Sequence, residues 1–325
     1  MNETHNIPSL APIIKLNKDM VKAITSLDGP GGVTHNEARF LVDTYYTIQK
    51  ARIRNVLQAK GLDRDAVKTG NDAEPHEALD RFAADFAIHE DNIKKILGWY
   101  VERHPMNWFF QNTFGVGPVL AAALLAHIDI EQCPTVGHIW SFAGLNPTMK
   151  WEKGQKRPWN TGLKTVCWKI GDSFVKLSGR EDSYYSRLYV KRKAEEWRRN
   201  LAGEYQDEAT RQMDLKKYSK ATDQHAWYTG ACDPAKAAES LAYGKSPTAA
   251  SCKAEDGHGI PMLSPAHIDA RARRYAVKIF LSHFHECWYR THYNQEPPKP
   301  FAISILNHAH YHAPPQLAPA PAKAA

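Results

Sequence analysis

The sequence predicts an all-α fold: paired long helices forming an arm, then a helix-hairpin-helix core and a C-terminal helix. Three observations carry this prediction. Apolar residues recur at three- and four-residue intervals over long stretches, Gly and Pro punctuate those stretches at capping positions, and no convincing run of alternating apolar and polar residues is present. With 325 residues, 43% of them hydrophobic, the chain can bury a sizeable core, as two domains or as one large domain with an arm.

Taken in order, the N-terminal segment 1–33 offers only Ile13-Ile14 as a strand-like hint. Thr34-x-x-Glu37 then has the form of a capping box, in which hydroxyl and carboxylate each accept from the other residue's backbone N–H. It opens a helix with Leu41, Tyr45 and Ile48 on one face, expected to end near Gly61. A second helix starts near Pro75 and carries Leu79, Phe82, Phe86, His89, Ile93, Ile96 and Tyr100, a seam interrupted only by His89. Residues 34–104 therefore read as an antiparallel helical arm. Its partner helix lies either in the same chain or in a second copy, and a homo-oligomer assembled through 34–104 is expected.

The core is expected over 105–221. A short helix around Met106–Thr113 leads into Phe114-Gly115-Val116-Gly117-Pro118 and the apolar run Val119 to Ala126. A tight Gly-x-Gly turn opening a helix points backbone N–H groups outward at the positive end of the helix dipole, which makes an anion seat. Pro118 suits the first turn, where its missing N–H is not needed. Helix, Gly turn, helix is the pattern of a helix-hairpin-helix, or of a structural αα-corner with Gly at a left-handed cap. Two further helices are predicted over Leu163–Leu177 and Tyr184–Leu201. The Gly/Ser/Ala/Pro-rich stretch 222–263 reads as a flexible connection. The region 264–312 holds a last helix, from near Pro265 to Tyr293, and a His-rich segment. The tail 313–325, rich in Pro and Ala, reads as disordered.

Charge is unevenly distributed. The formal net charge is +7, yet residues 150–199 alone hold fourteen Lys/Arg against six Asp/Glu. Trp151, Trp159, Trp168, Tyr184, Tyr185, Tyr189 and Trp197 are interleaved with those charges, the footprint of a phosphate-binding surface or of a solvated helical face over packed aromatics. Five widely spaced cysteines without a C-x-x-C pair, no apolar signal segment and no membrane-length apolar run read as a reduced, cytoplasmic chain with no membrane partner.

These residues carry a resemblance. Gly115-Val116-Gly117-Pro118 with its Ala/Leu helix, Ala143-Gly144-Leu145-Asn146-Pro147, the loop Gly154-Gln155-Lys156-Arg157 and a following basic helix resemble the C-terminal transposase domain of the Piv/MooV-type insertion-sequence transposases, the insertion sequence 110/116/902 family. The resemblance runs from about 93 to 180. It implies DNA contact, DNA transposition or recombination as a setting, and a bacterial or phage mobile element. In that family a RuvC-like domain with four metal-binding acids works with a nucleophilic serine in the loop after the Gly-Leu-x-Pro motif. Here the segment 1–33 is too short for such a domain, Asp19, Asp28 and Asp43 form no metal set, and no serine lies between Ser141 and Ser173. Glu152 and Lys153 stand where the serine is expected; Thr148 and Thr161 are the nearby hydroxyls, and either would need an activating base.

The expected function is therefore DNA binding by a transposase-related, catalytically incomplete protein, with structured RNA as the alternative ligand. Gly115, Val116 and Gly117 would face a phosphate, Lys150, Lys153, Lys156, Arg157 and Lys164 the adjacent backbone, and Arg271, Arg274 and Lys278 would extend the surface. An active recombinase subunit that needs a partner for metal-dependent chemistry, and an oligomeric interaction protein built on the arm, are the competing readings. No cofactor fingerprint is present. His283 and Cys287, four apart on one helical face, with His310, are the weak candidates for a metal site. His127, Asp129 and Glu131 could form a hydrolytic group, or an ordinary solvent-facing turn.

Overall fold

The computed structural model describes residues 11–26, 32–70, 76–255, 259–298 and 311–317. Among them it is built from twelve α-helices without a strand, so the all-α expectation holds. The chain divides into two units, Met1–Ile139 with Glu286–Pro300, and Trp140–His285 with Phe301–Ala325.

The first unit opens with α1 (Ala11–Thr25), where Ile13-Ile14 lies in a helix and not a strand. In α2 (His35–Thr69) the capping box forms as the sequence implies: the Glu37 N–H donates to Thr34 Oγ1 at 3.2 Å, and the Thr34 N–H donates to Glu37 Oε2 at 2.8 Å. The helix does not stop at Gly61. A mid-helix glycine costs only about 1 kcal/mol relative to alanine, and the buried Ala59 just before it keeps the helix packed. It ends at Gly70, whose φ of 70° is the left-handed cap that glycine tolerates.

Antiparallel pairing of α2 with α3 (Glu77–Glu102) is set by Arg52 on Glu90 and His76 on Asp63, pairs in which one residue number falls as the other rises. The seam closes within one chain. Both helices, and α1 through α3, pack around α5 (Pro118–His127), which follows the short α4 (Asn107–Gln111). Seven of the ten residues of α5 are buried, four of them Ala, and Gly98 of α3 admits the Pro118 ring. A helix apolar all round belongs at a core.

The second unit contains α7 (Thr161–Lys176), α8 (Tyr184–Leu201), α9 (Gln206–Lys216), α10 (Asp223–Tyr228) and α11 (Pro234–Ala242). Helix α6 (Val136–Phe142) runs across the division between the units, and α12 (Pro265–Tyr293) gives its first part to the second unit and its last turns to the first. Where composition predicts a flexible connection over 222–263, α10 and α11 stand instead, and Trp227, Tyr228, Cys232, Cys252 and Met262 enter a core with Trp197 and Tyr205. The glycines that read as loop material serve close backbone approach: a Cβ on Gly259 would lie 2.1 Å from the Cys232 carbonyl oxygen. A second aromatic cluster packs Phe174, Tyr185, Phe280 and Phe284 through stacked and edge-to-face contacts. The segment 311–317 docks here, with the His312 carbonyl accepting from His283 Nε2 at 2.8 Å. All five cysteines are free and buried. Among the described residues, no helix is long and apolar enough to cross a membrane.

Candidate nucleic-acid interface

In the first unit the Gly-x-Gly turn forms between α4 and α5. Gly115 has φ 90°, a value that favours glycine, while Gly117 has an extended backbone, serves as the N-cap of α5 and puts Pro118 at the first position. Val116 buries its side chain, and its N–H turns back toward the Thr113 carbonyl at 3.5 Å. The outward amides are therefore displaced from the expected Gly115–Gly117 set. Gly117, Val119 and Leu120 have no hydrogen-bond partner for their N–H groups among the described residues, and no side chain caps the helix. The positive end of a buried helix thus emerges at exposed Gly117 and Pro118. A Cβ on Gly117 would meet nothing within 4 Å.

In the second unit, α6 ends in a Schellman arrangement: the Leu145 N–H donates to the Trp140 carbonyl at 2.8 Å, with Gly144 at φ 64°. The Trp159 ring fills the space a side chain at Gly144 would need. The Asn160 N–H donates to the Phe142 carbonyl at 2.8 Å, closing the base of the loop, and the Asn160 side chain caps α7 through the Leu163 N–H. Loop 146–158 is thus tied at both ends, and Lys150, Lys153, Lys156 and Arg157 project from it, all exposed. Arg157 lies over the Trp151 ring, 5.1 Å from its centroid, and Lys164 lies over Trp159 at 4.1 Å.

Lys164 lies close enough to Arg157 and to Arg274 to feel both charges. Desolvation first, then the Arg157 and Arg274 charges, hold the Lys164 ammonium below the usual lysine value. Desolvation and Arg271 likewise lower Arg274. Lys278, lowered by desolvation, rests over Trp140 at 4.2 Å. None of Lys150, Lys153, Lys156, Arg157, Lys164, Arg274 and Lys278 forms an ion pair among the described residues. Arg271 differs. Its Nε donates to Glu196 at 2.6 Å, and Glu196, buried, also accepts from Arg192 and Tyr205. Arg271 thus belongs to an internal network. Arg198 and Arg199 of α8 are likewise paired, with Glu195 and Glu204, whereas the four cations of the loop have no carboxylate partner among the described residues.

The chemical candidates find no constellation. Thr148 Oγ1 donates to Asn146 Oδ1 at 2.9 Å within an Asx turn, Thr161 is exposed at the start of α7, and neither hydroxyl bonds to a carboxylate or imidazole among the described residues. Asp129 caps the turn at Glu131, and Glu131 pairs with His292. Both ring nitrogens of His283 are engaged, Nδ1 accepting from the Tyr185 hydroxyl at 2.9 Å and Nε2 donating to His312. Burial raises the Cys287 thiol to about 12, which disfavours a thiolate ligand. His310 lies outside the described residues, and no group of three metal-ligating side chains occurs among those described.

The turn, α5, α6 and the basic loop form one continuous stretch of sequence. Residues 109–157 match the Transposase IS116/IS110/IS902 family. The matched segment begins in the first unit and ends in the second, and the resemblance seen in the sequence is confirmed over it. It gives the chain a transposase-related segment. No curated protein and no solved structure matches the chain. Trp151, Trp159 and Trp168 were legible as interleaved aromatics but not as seats for the cations. The cation over Trp168 is Arg273 of α12, more than a hundred residues away in sequence, so no local spacing signals that pair.

Proposed function

We propose that this chain is a DNA-binding protein related to the transposases of these insertion sequences, holding the phosphate backbone through two surfaces. The observation that carries the reading is the group of cations on the loop after α6, on α7 and on α12 that lack carboxylate partners, among which Lys164 feels the charges of Arg157 and Arg274. Like charges held together without internal neutralisation are stabilised by an external anion, and a polyphosphate is the anion that matches an extended basic surface. The start of α5, with its uncapped amides, adds a second phosphate seat in the first unit. Contacts of this kind position a nucleic acid and do not read its bases. Arg271, engaged by Glu196, maintains the fold beneath the surface. No chemical step is assigned to Thr148 or Thr161.

The test is fluorescence-anisotropy binding of a labelled DNA duplex to wild type, Lys164→Glu and Gly117→Asp. Both positions accept the new side chain without strain: Lys164 is exposed, and Gly117 combines a negative φ with open space. Loss of affinity in each variant, with far-UV circular dichroism unchanged, is the expected result. Wild-type affinity in Lys164→Glu would remove the second-unit surface from the reading.

A further inference from the structure

We propose that the face of α7 bearing Lys164 and Trp168 is a stacking shelf for unpaired bases, so that the preferred ligand of the second unit is single-stranded nucleic acid. The inference rests on the phosphate-binding reading above and narrows it. Trp168 is 57% exposed, although burying an indole would stabilise the fold. Its ring is nonetheless fixed. The Arg273 guanidinium lies over it, 5.5 Å from the centroid, and is held in turn by Asp269 at 2.6 Å. The Arg273 stem occupies the space left by Gly171, where a Cβ would come within 2.5 Å of Cγ. Three residues of two helices thus brace one exposed ring, with a cation behind it.

Trp168 is also placed beside phosphate ligands. Lys164 precedes it by one helical turn, about 6 Å along α7, and feels the charges of Arg157 and Arg274. Arg157 in turn covers one side of Trp151, which is 38% exposed and oriented by the bond from its Nε1 to the Gln155 carbonyl at 2.7 Å. Fixed aromatic rings alternating with cations are the device by which proteins hold a single strand, phosphates on the charges and bases on the rings. A duplex offers these rings nothing comparable, since its bases present only their edges in the grooves.

The experiment uses the full chain and three labelled probes: an oligo-dT strand of about 12 nucleotides, an oligo-U strand of the same length and a DNA duplex, sized to the 4–16 nucleotides that one such groove spans. Trp168→Ala should weaken binding of the single strands roughly 5- to 150-fold, the worth of one base–aromatic stack. Trp168→Phe should restore most of it, and the duplex should be unaffected by either change. A preference for oligo-dT or for oligo-U would identify which strand the shelf holds, and either supports it. Unchanged single-strand affinity in Trp168→Ala, with binding lost in Lys164→Glu, would overturn the shelf and leave the phosphate reading intact; a Trp168 that meets a protein instead gives this result. Equal loss on duplex and single strands in Trp168→Ala would also overturn it. No binding of any probe by wild type would overturn both.

Discussion

Replacing Gly144 by Ala should destabilise the second unit by more than the same change at Gly154, and the difference has one source. Both glycines have positive φ, 64° and 97°, so an L side chain at either costs about 1–2 kcal/mol in backbone strain. At Gly154 nothing lies within 4 Å of the new Cβ, and strain is the whole effect. At Gly144 the Cβ would fall 2.8 Å from Trp159 Cγ and 3.0 Å from both Cδ1 and Cδ2. The ring would have to retreat by roughly 0.5–1 Å to reach ordinary contact. It cannot do so freely, because the neighbouring Asn160 N–H is fixed to the Phe142 carbonyl and Lys164 lies over the ring. Overpacking of this kind adds about 1–3 kcal/mol, giving about 2–5 kcal/mol for Gly144→Ala. Urea unfolding of wild type, both glycine variants, Trp159→Ala and the Gly144→Ala, Trp159→Ala double variant measures it. The double variant should recover part of the loss as a favourable coupling. Equal destabilisation at the two glycines, or no coupling to Trp159, would refute the described closure of the loop.

Other outcomes follow from the buried charges. Burial lowers the imidazoles of His104 and His283 from 6.5 to about 4. The unfolded chain therefore binds protons that the fold refuses, so stability is full above pH 6.5 and falls as pH drops toward 4, by on the order of 3 kcal/mol for His283. Denaturation midpoints between pH 7 and 4.5 check this, and His283→Gln should flatten the dependence; an identical slope in that variant would contradict it. Glu196→Gln removes the carboxylate that faces Arg192, Arg271 and Tyr205 in a buried site, and should cost about 3–5 kcal/mol in thermal or urea unfolding. A loss below about 1 kcal/mol would mean those guanidinium groups find water.

The long helices were legible because their signals are local. Thr34 and Glu37 cap each other as their spacing implies, and α8 and α12 begin and end at the expected residues. Errors arose where packing overrides local preference. Gly61 sits inside α2 because burial around Ala59 outweighs one unfavourable residue, and Gly230 and Gly259 mark backbone crossing at the Cys232 strand-like bridge, not a loose connection. At the Gly-x-Gly segment the amides without a partner among the described residues are those of Gly117, Val119 and Leu120, because Val116 turns its N–H toward Thr113, a detail that spacing alone does not give. On the basic surface, a count of charge could not separate Lys164 and Arg274 from Arg271, since that distinction depends on Glu196, seventy-five residues away from Arg271 in sequence.

The most direct test of the central claim is the salt dependence of binding by wild type to labelled DNA. If five of the seven cations without carboxylate partners each neutralise one phosphate, the logarithm of affinity should fall with the logarithm of salt concentration at a slope of about −4 or steeper. Affinity that is flat between about 50 and 200 mM salt would contradict backbone recognition by this surface.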